Sequence, residues 1–164
     1  MQLLAPTGFT RRRFVIAAGA MAALPAAQAH HGWSSFDQGR PVYLEGTVSR
    51  SMWRNPHAEL ELELPATPRL PADLATRSVP AQSARVDGAA LMKAAVLPTR
   101  ADRKWQIELA PLTRMNAWAV PEIKAGDRIA VLGFTFAGEQ GDAILRVEYL
   151  FVGDKVYGLR SAPA

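Results

Sequence analysis

The alternation between Pro41 and Leu64, PVYLEGTVSRSMWRNPHAELELEL, constrains this chain more than any other stretch. Successive side chains of a strand point to opposite faces. Val42, Leu44, Gly46 and Val48 therefore share one face, with Tyr43, Glu45 and Thr47 on the other. Glu59-Leu60-Glu61-Leu62-Glu63-Leu64 alternates without a break, leucines to one side and glutamates to the other. Trp53-Arg54-Asn55-Pro56-His57 lies between the two runs as a turn. Residues 41–64 are thus expected to form the first two strands of an antiparallel sheet with one buried face.

The periodicity changes beyond Leu64. Residues 65–103 contain Pro65, Pro68, Pro71, Pro80 and Pro98 among many alanines, serines and arginines. Proline lacks the ladder donor and fixes φ, so this stretch is excluded as a central strand. It reads as a flexible insertion, poor in aromatic and β-branched residues, with a short helix in 84–97 weakened by Gly88. Strand patterning returns at Lys104–Leu109, with Trp105, Ile107 and Leu109 on one face. A turn or short helix follows in 110–120, where Met115, Trp118 and Val120 are available to cap a core. Lys124-Ala125-Gly126-Asp127 leads into a strand over 128–136. Ala143–Val152 is the next strand, with Leu145, Val147, Tyr149 and Phe151 on one face, and Lys155–Leu159 is a short last one. Residues 104–164 thus supply the remaining barrel strands. The fold class is all-β: a small OB-like barrel, closed or partly open, of five to six strands, with a short helix and a Pro/Ala-rich insertion.

The N-terminus reads as processing information. Thr10-Arg11-Arg12-Arg13-Phe14-Val15 looks like a twin-arginine export signal, the apolar run 15–24 follows, and Ala27-Gln28-Ala29 supplies small residues for cleavage after Ala29. The alternative is an uncleaved anchor, for which the run is short and alanine-rich. The expectation is a cleaved signal over 1–29, an N-terminal arm over 30–40, and a periplasmic or secreted protein that is not integral to the membrane after processing.

Composition bears on partners at this point. Of 19 basic residues three are Arg11, Arg12 and Arg13, so 16 remain against 15 acidic ones after cleavage. No basic tract interleaves with the aromatics, and nucleic acid is not an expected partner. The chain has no cysteine, so disulfides and thiolate metal sites are excluded.

Three patches resemble a family of small secreted bacterial proteins of unknown function: His30-His31-Gly32-Trp33-Ser34-Ser35-Phe36-Asp37, then Gly46-Thr47-Val48 with Trp53-Arg54-Asn55-Pro56-His57, then Trp105–Leu109 with Lys124-Ala125-Gly126-Asp127. The family pattern is a His-His-Ser start, a Phe-Asp, a Gly-Thr-Val strand, an Asn-Pro-His turn and a late Gly-Asp turn. Here Gly32 and Trp33 intervene before Ser34, and residues 65–103 have no counterpart in it. The resemblance implies export and an OB-like barrel; it implies no activity.

All three histidines of the chain lie in these patches: His30, His31 and His57. A histidine at a mature N-terminus offers its α-amine and its ring nitrogen to one metal, a nitrogen-rich set suited to Cu(II). His31 and His57 would complete the site, and Asp37 or Glu59 would serve as an outer partner orienting a ring. The competing account is that His57 satisfies backbone groups in its turn while the N-terminal pair is idle. Glu59, Glu61 and Glu63 read as the solvated face of their strand, and Trp53, Trp105 and Trp118 as residues in or beside the core. Ser34, Ser35, Ser49 and Ser51 lie in no nucleophile-elbow context.

The leading expectation is therefore an exported, non-enzymatic barrel binding a metal ion, copper favoured, or a small ligand through His30, His31 and His57. The alternative is an accessory subunit that docks on an exported or membrane-bound enzyme. A mononuclear copper enzyme is a third reading.

Overall fold

A computed structural model of the chain describes residues 32–164. The expected signal segment, His30 and His31 lie outside the described residues.

Six strands follow the patterned stretches: β1 (Val42–Met52), β2 (Glu59–Glu63), β3 (Lys104–Glu108), β4 (Arg128–Phe134), β5 (Ile144–Val152) and β6 (Lys155–Gly158). They form one sheet in the order β3-β2-β1-β4-β5-β6, and β3 also pairs with β5 in parallel. That last pairing closes β1, β2, β3, β5 and β4 into a five-stranded barrel, with β6 as a hairpin extension of β5. Closure removes the free edges of the ring except beside the first half of β1, which pairs with β2 only from Thr47 onward. A short helix, α2 (Leu112–Ala117), sits in the chain between β3 and β4. This is the small all-β barrel expected from the alternation.

The interior holds the residues the alternation assigned to it. Val42, Leu44 and Val48 of β1, Leu60 and Leu62 of β2 with Leu64, and Trp105, Ile107 and Leu109 are buried in one cluster. Met115 and Val120 close its end, and Trp53 and Trp118 pack against it half-buried. Two glycines permit the tight curvature. A Cβ at Gly46 would lie 2.3 Å from the Glu63 carbonyl oxygen, and one at Gly133 would lie 2.1 Å from that of Arg146. Only a residue without a side chain admits backbone approach this close.

One face assignment is corrected. Leu145, Val147, Tyr149 and Phe151 do not share a face. Leu132 pairs with Tyr149 while Gly133 pairs with Val147, so Glu148 is an extra residue on β5. Such a bulge reverses the parity of the strand beyond it. Leu145, Val147 and Leu150 enter the barrel interior, whereas Tyr149 and Phe151 turn outward into a second cluster.

That second cluster explains where the insertion goes. Residues 65–103, expected as a flexible insertion, carry a 3-10 turn at Leu74–Thr76 and a helix, α1 (Gly88–Ala94). The Asp87 carboxylate accepts from the Ala90 N–H at 2.9 Å and caps α1. Leu74, Met92 and Ala95 pack on Tyr43, Ala130, Leu132, Tyr149 and Phe151, the outward residues of β1, β4 and β5. An apolar outer sheet face has to be covered, and the insertion covers it. Tyr43 N–H donates to the Val96 carbonyl at 2.9 Å, and Val96 N–H to that of Pro41 at 3.0 Å, tying the segment to β1. The Tyr43 phenol is held well above its usual range, first by burial and then by the adjacent Glu45 charge.

Candidate functional site

The site begins at the turn between β1 and β2. Ala58 is fully buried, its N–H donates to Ala110 O at 3.3 Å, and its carbonyl accepts from Leu109 N–H at 2.9 Å. The Asn55 side-chain oxygen accepts from Leu112 N–H at 3.3 Å, which fastens the turn to the start of α2. Beside the buried Leu60, Glu59 projects on the outer side of β2. His57, half-buried, precedes it in the turn.

From Glu59 a line of polar side chains crosses the outer face of β2, β3 and β5. Gln106 Nε2 donates to Glu59 at 3.4 Å. Glu59 pairs in register with Glu108, and Glu108 with Arg146 on β5. Arg146 Nη1 lies 3.0 Å from the Glu108 carboxylate, both side chains about nine-tenths buried. Two residues along, Glu148 is fully buried, accepting from Gln82 Nε2 at 2.8 Å and from Arg160 Nε at 2.7 Å. Gln82 accepts in turn from the N–H groups of Arg160 and Ser161 at 2.9 and 3.1 Å. Every buried oxygen of this network has a donor, which is what makes its burial tolerable. Arg114 of α2 adds a third guanidinium nearby; burial, and then the Arg146 charge, holds its pKa below the usual range.

Trp33 is seated on the two arginines. Its ring centroid is 4.1 Å from the Arg160 guanidinium carbon and 5.2 Å from that of Arg146, with Phe134 edge-on at 6.3 Å. Each guanidinium is already held by a buried glutamate, so the ring meets cations of fixed position. Phe36 stacks on Phe136 at 4.9 Å, and Asp37 N–H donates to Thr135 O at 2.9 Å. Read backwards from Phe36 to Trp33, the N-terminal arm thus passes from the end of β4 onto β5. The Asp37 carboxylate is occupied by its own turn, accepting from Gly39 N–H at 3.0 Å.

The glutamate face of β2 is a paired outer surface. Glu61 accepts from the Ser49 hydroxyl and from Lys104 Nζ at 3.3 Å; these hydrogen bonds, Ser49 first, lower its pKa. Of the expected metal ligands only His57 is described; His30 and His31 lie outside the described residues. Among the described residues no three histidines, cysteines or carboxylates are grouped to hold a metal ion, nor is any helix long and apolar enough to cross a membrane.

Residue-by-residue patterning missed Trp33, Arg146, Glu148 and Arg160. Trp33 sits in no periodic run. The signal for Arg146 and Glu148 was present in Leu145-Arg146-Val147-Glu148, charges inside an otherwise apolar strand, whereas Arg160 follows the last strand in no pattern. Such charges, when buried, require partners.

The model of a family of unknown function (DUF6152) matches residues 17–69, which contain both N-terminal histidines, β1, the His57 turn and β2. That match fits the resemblance drawn from the motifs. A search of the curated proteins finds no match.

Proposed function

We propose that the protein is an exported, non-enzymatic barrel that binds a metal ion, Cu(II) favoured, with His30, His31 and His57 as ligands. The observation that carries this reading is the seat of Trp33. His31 is two residues ahead of Trp33, and two residues of extended chain reach at most about 7 Å. The arm heads from β4 onto β5, and the next strands in that direction around the barrel are β3 and β2. Two strand spacings amount to about 10 Å. Backbone reach plus the length of an imidazole side chain is of the same order as two strand spacings, and the turn leading into β2 carries His57. His30, freed by cleavage after Ala29, would add its α-amine and ring, and the neighbouring Glu59 would orient the His57 ring.

A Cu(II) titration of protein beginning at His30, beside protein with one extra residue ahead of it, tests the ligand set. The reading expects tight binding that weakens on extension and again in His57→Ala. Equal, weak binding in all three would refute it.

The second reading, an accessory subunit docking on an exported or membrane-bound enzyme, is supported by the strap over 65–71, which carries Leu70, the exposed large hydrophobic residue of the described region. Deleting 65–103 would uncover Tyr43, Leu132, Tyr149 and Phe151, so Leu70→Asp is the cleaner probe. The reading fails if partner capture by the folded protein is unchanged.

A further inference from the structure

A cleft of about 420 Å³ opens on the outer face where β2 leaves β1. One wall is β1 at Glu45–Thr47; the others are the strap over 65–69, Leu97 and the side chains of Arg103 and Arg128. It lies at the end of β2 opposite to His57.

The pairing of β1 on its β2 side stops here. Val48 N–H donates to Asp127 O on the β4 side, whereas Tyr43 N–H donates to Val96 on the other side. Odd-numbered residues of β1 therefore direct their backbone groups away from β4. Thr47 is opposite Glu63, the last residue of β2, and the next position in that ladder, opposite Glu45, falls at Pro65. Proline has no N–H to give. On the far side the chain that pairs with Val42 and Tyr43 runs through Leu97 into Pro98, another residue without a donor. The N–H and C=O of Glu45 thus face the cleft, and among the described residues no hydrogen bond joins them to the strap or to Leu97.

The charges around this short edge are exposed and only partly paired. Arg103 stands 3.7 Å from Glu63 and donates from Nε and Nη2 to the Leu64 carbonyl at 3.3 and 3.2 Å; Arg128 stands 3.7 Å from Glu45, which also accepts from the Tyr43 hydroxyl at 3.0 Å; both arginine side chains are more than half exposed. Arg69 has no ion pair among the described residues. Three cations face two anions across a strip of unpaired strand. A compact inorganic anion would meet the glutamates as well as the arginines. An extended chain offers neutral amides to Glu45 and sends alternate side chains outward to the arginines.

We infer that this cleft receives an extended acidic segment of a partner protein, added to the edge of β1 at Glu45, its carboxylates on Arg69, Arg103 and Arg128. The inference does not depend on the metal reading, since the two sites lie at opposite ends of β2.

The test uses 15N-labelled full-length protein and acetyl-Glu-Val-Glu-Val-Glu-amide at low salt. Expected are saturable binding, at least tenfold slower exchange of the Glu45 amide in the complex, and affinity lowered about fivefold to thirtyfold in Arg69→Ala/Arg128→Ala, from two exposed charge contacts. Both arginines are surface residues, and far-UV circular dichroism verifies that the variant is folded. Unaltered affinity in the variant, unaltered Glu45 exchange, or equal binding of the Lys-Val-Lys-Val-Lys peptide would each overturn the inference. The same Glu45 protection by free citrate would overturn it in favour of a small-carboxylate site.

Discussion

Glu148→Ala is the substitution whose consequence follows most directly from the structure. The carboxylate is fully buried and is shared by Gln82, from the insertion, and Arg160, after β6. Removing it leaves the Gln82 amide and the Arg160 guanidinium without their acceptor. Breaking a buried pair by deleting one partner costs about 3–5 kcal/mol. The Arg160 side chain retains 22% exposure and can recover some hydration, which places the loss at the lower end, about 3 kcal/mol. For a domain of this size that is a fall in Tm on the order of 10 °C. Urea unfolding followed by circular dichroism measures it, and the midpoint should fall with little change in m. Arg160 also seats Trp33, so tryptophan emission of the folded variant should shift towards that of an exposed indole. A variant within about 0.5 kcal/mol of the parent, at the level of ordinary surface substitutions, would refute the reasoning, because it would mean the network is solvated or redundant.

Other expectations follow from the same accounting. Glu108→Leu alone strands Arg146 and should cost about 3 kcal/mol, whereas Glu108→Leu with Arg146→Met should recover most of it; denaturant midpoints of the three variants decide this. Gly133→Ala places a methyl group 2.1 Å from the Arg146 carbonyl oxygen, where β4 meets β5, and should destabilise by about 3 kcal/mol or prevent folding; a urea midpoint equal to that of the parent would contradict it. The Glu139 carboxyl is raised by burial, but the N–H groups of Thr99 and Arg100, together with Arg40, outweigh this and hold it below the usual range. Its stabilisation is therefore fully present above the unfolded-state carboxyl pKa and is lost as pH falls through the lower folded value. The stability gap between the parent and Glu139→Gln, measured by urea unfolding from pH 7 downward, should close across that acid window; a gap independent of pH would refute the assignment.

The outer polar network and the arm bear on how the outside of this barrel is organised. Two buried glutamate–arginine pairs contribute little net stability over apolar packing, yet here they hold the surface on which Trp33 rests. Their role in this protein is one of position: they set where Trp33 lies on the outer face of the barrel.

Each strand was legible in the sequence to within a few residues because its signal is local. Glu59–Leu64 alternates, and alternation at a half-buried sheet is imposed by the pleat itself. The same holds for the leucines that line the barrel and the Gly46 that lets β1 and β2 touch. The motif stretches also marked His57 as a turn residue, and the turn is where it lies. Tertiary structure decided what no local pattern carries. The Glu148 bulge arises from how β5 meets Gly133 of β4, and it reverses the faces of Tyr149 and Phe151. The parallel β3–β5 pairing joins segments separated by the whole of α2 and β4. The proline-rich segment lacks any period, so only the apolar outer face of β1, β4 and β5 reveals what it covers. Burial of Arg146 and Glu148 depends on neighbours remote in the chain, Glu108, Gln82 and Arg160, as does the seat of Trp33. Periodicity reports which side of its own strand a residue occupies; which residues meet across strands is fixed only when the barrel closes.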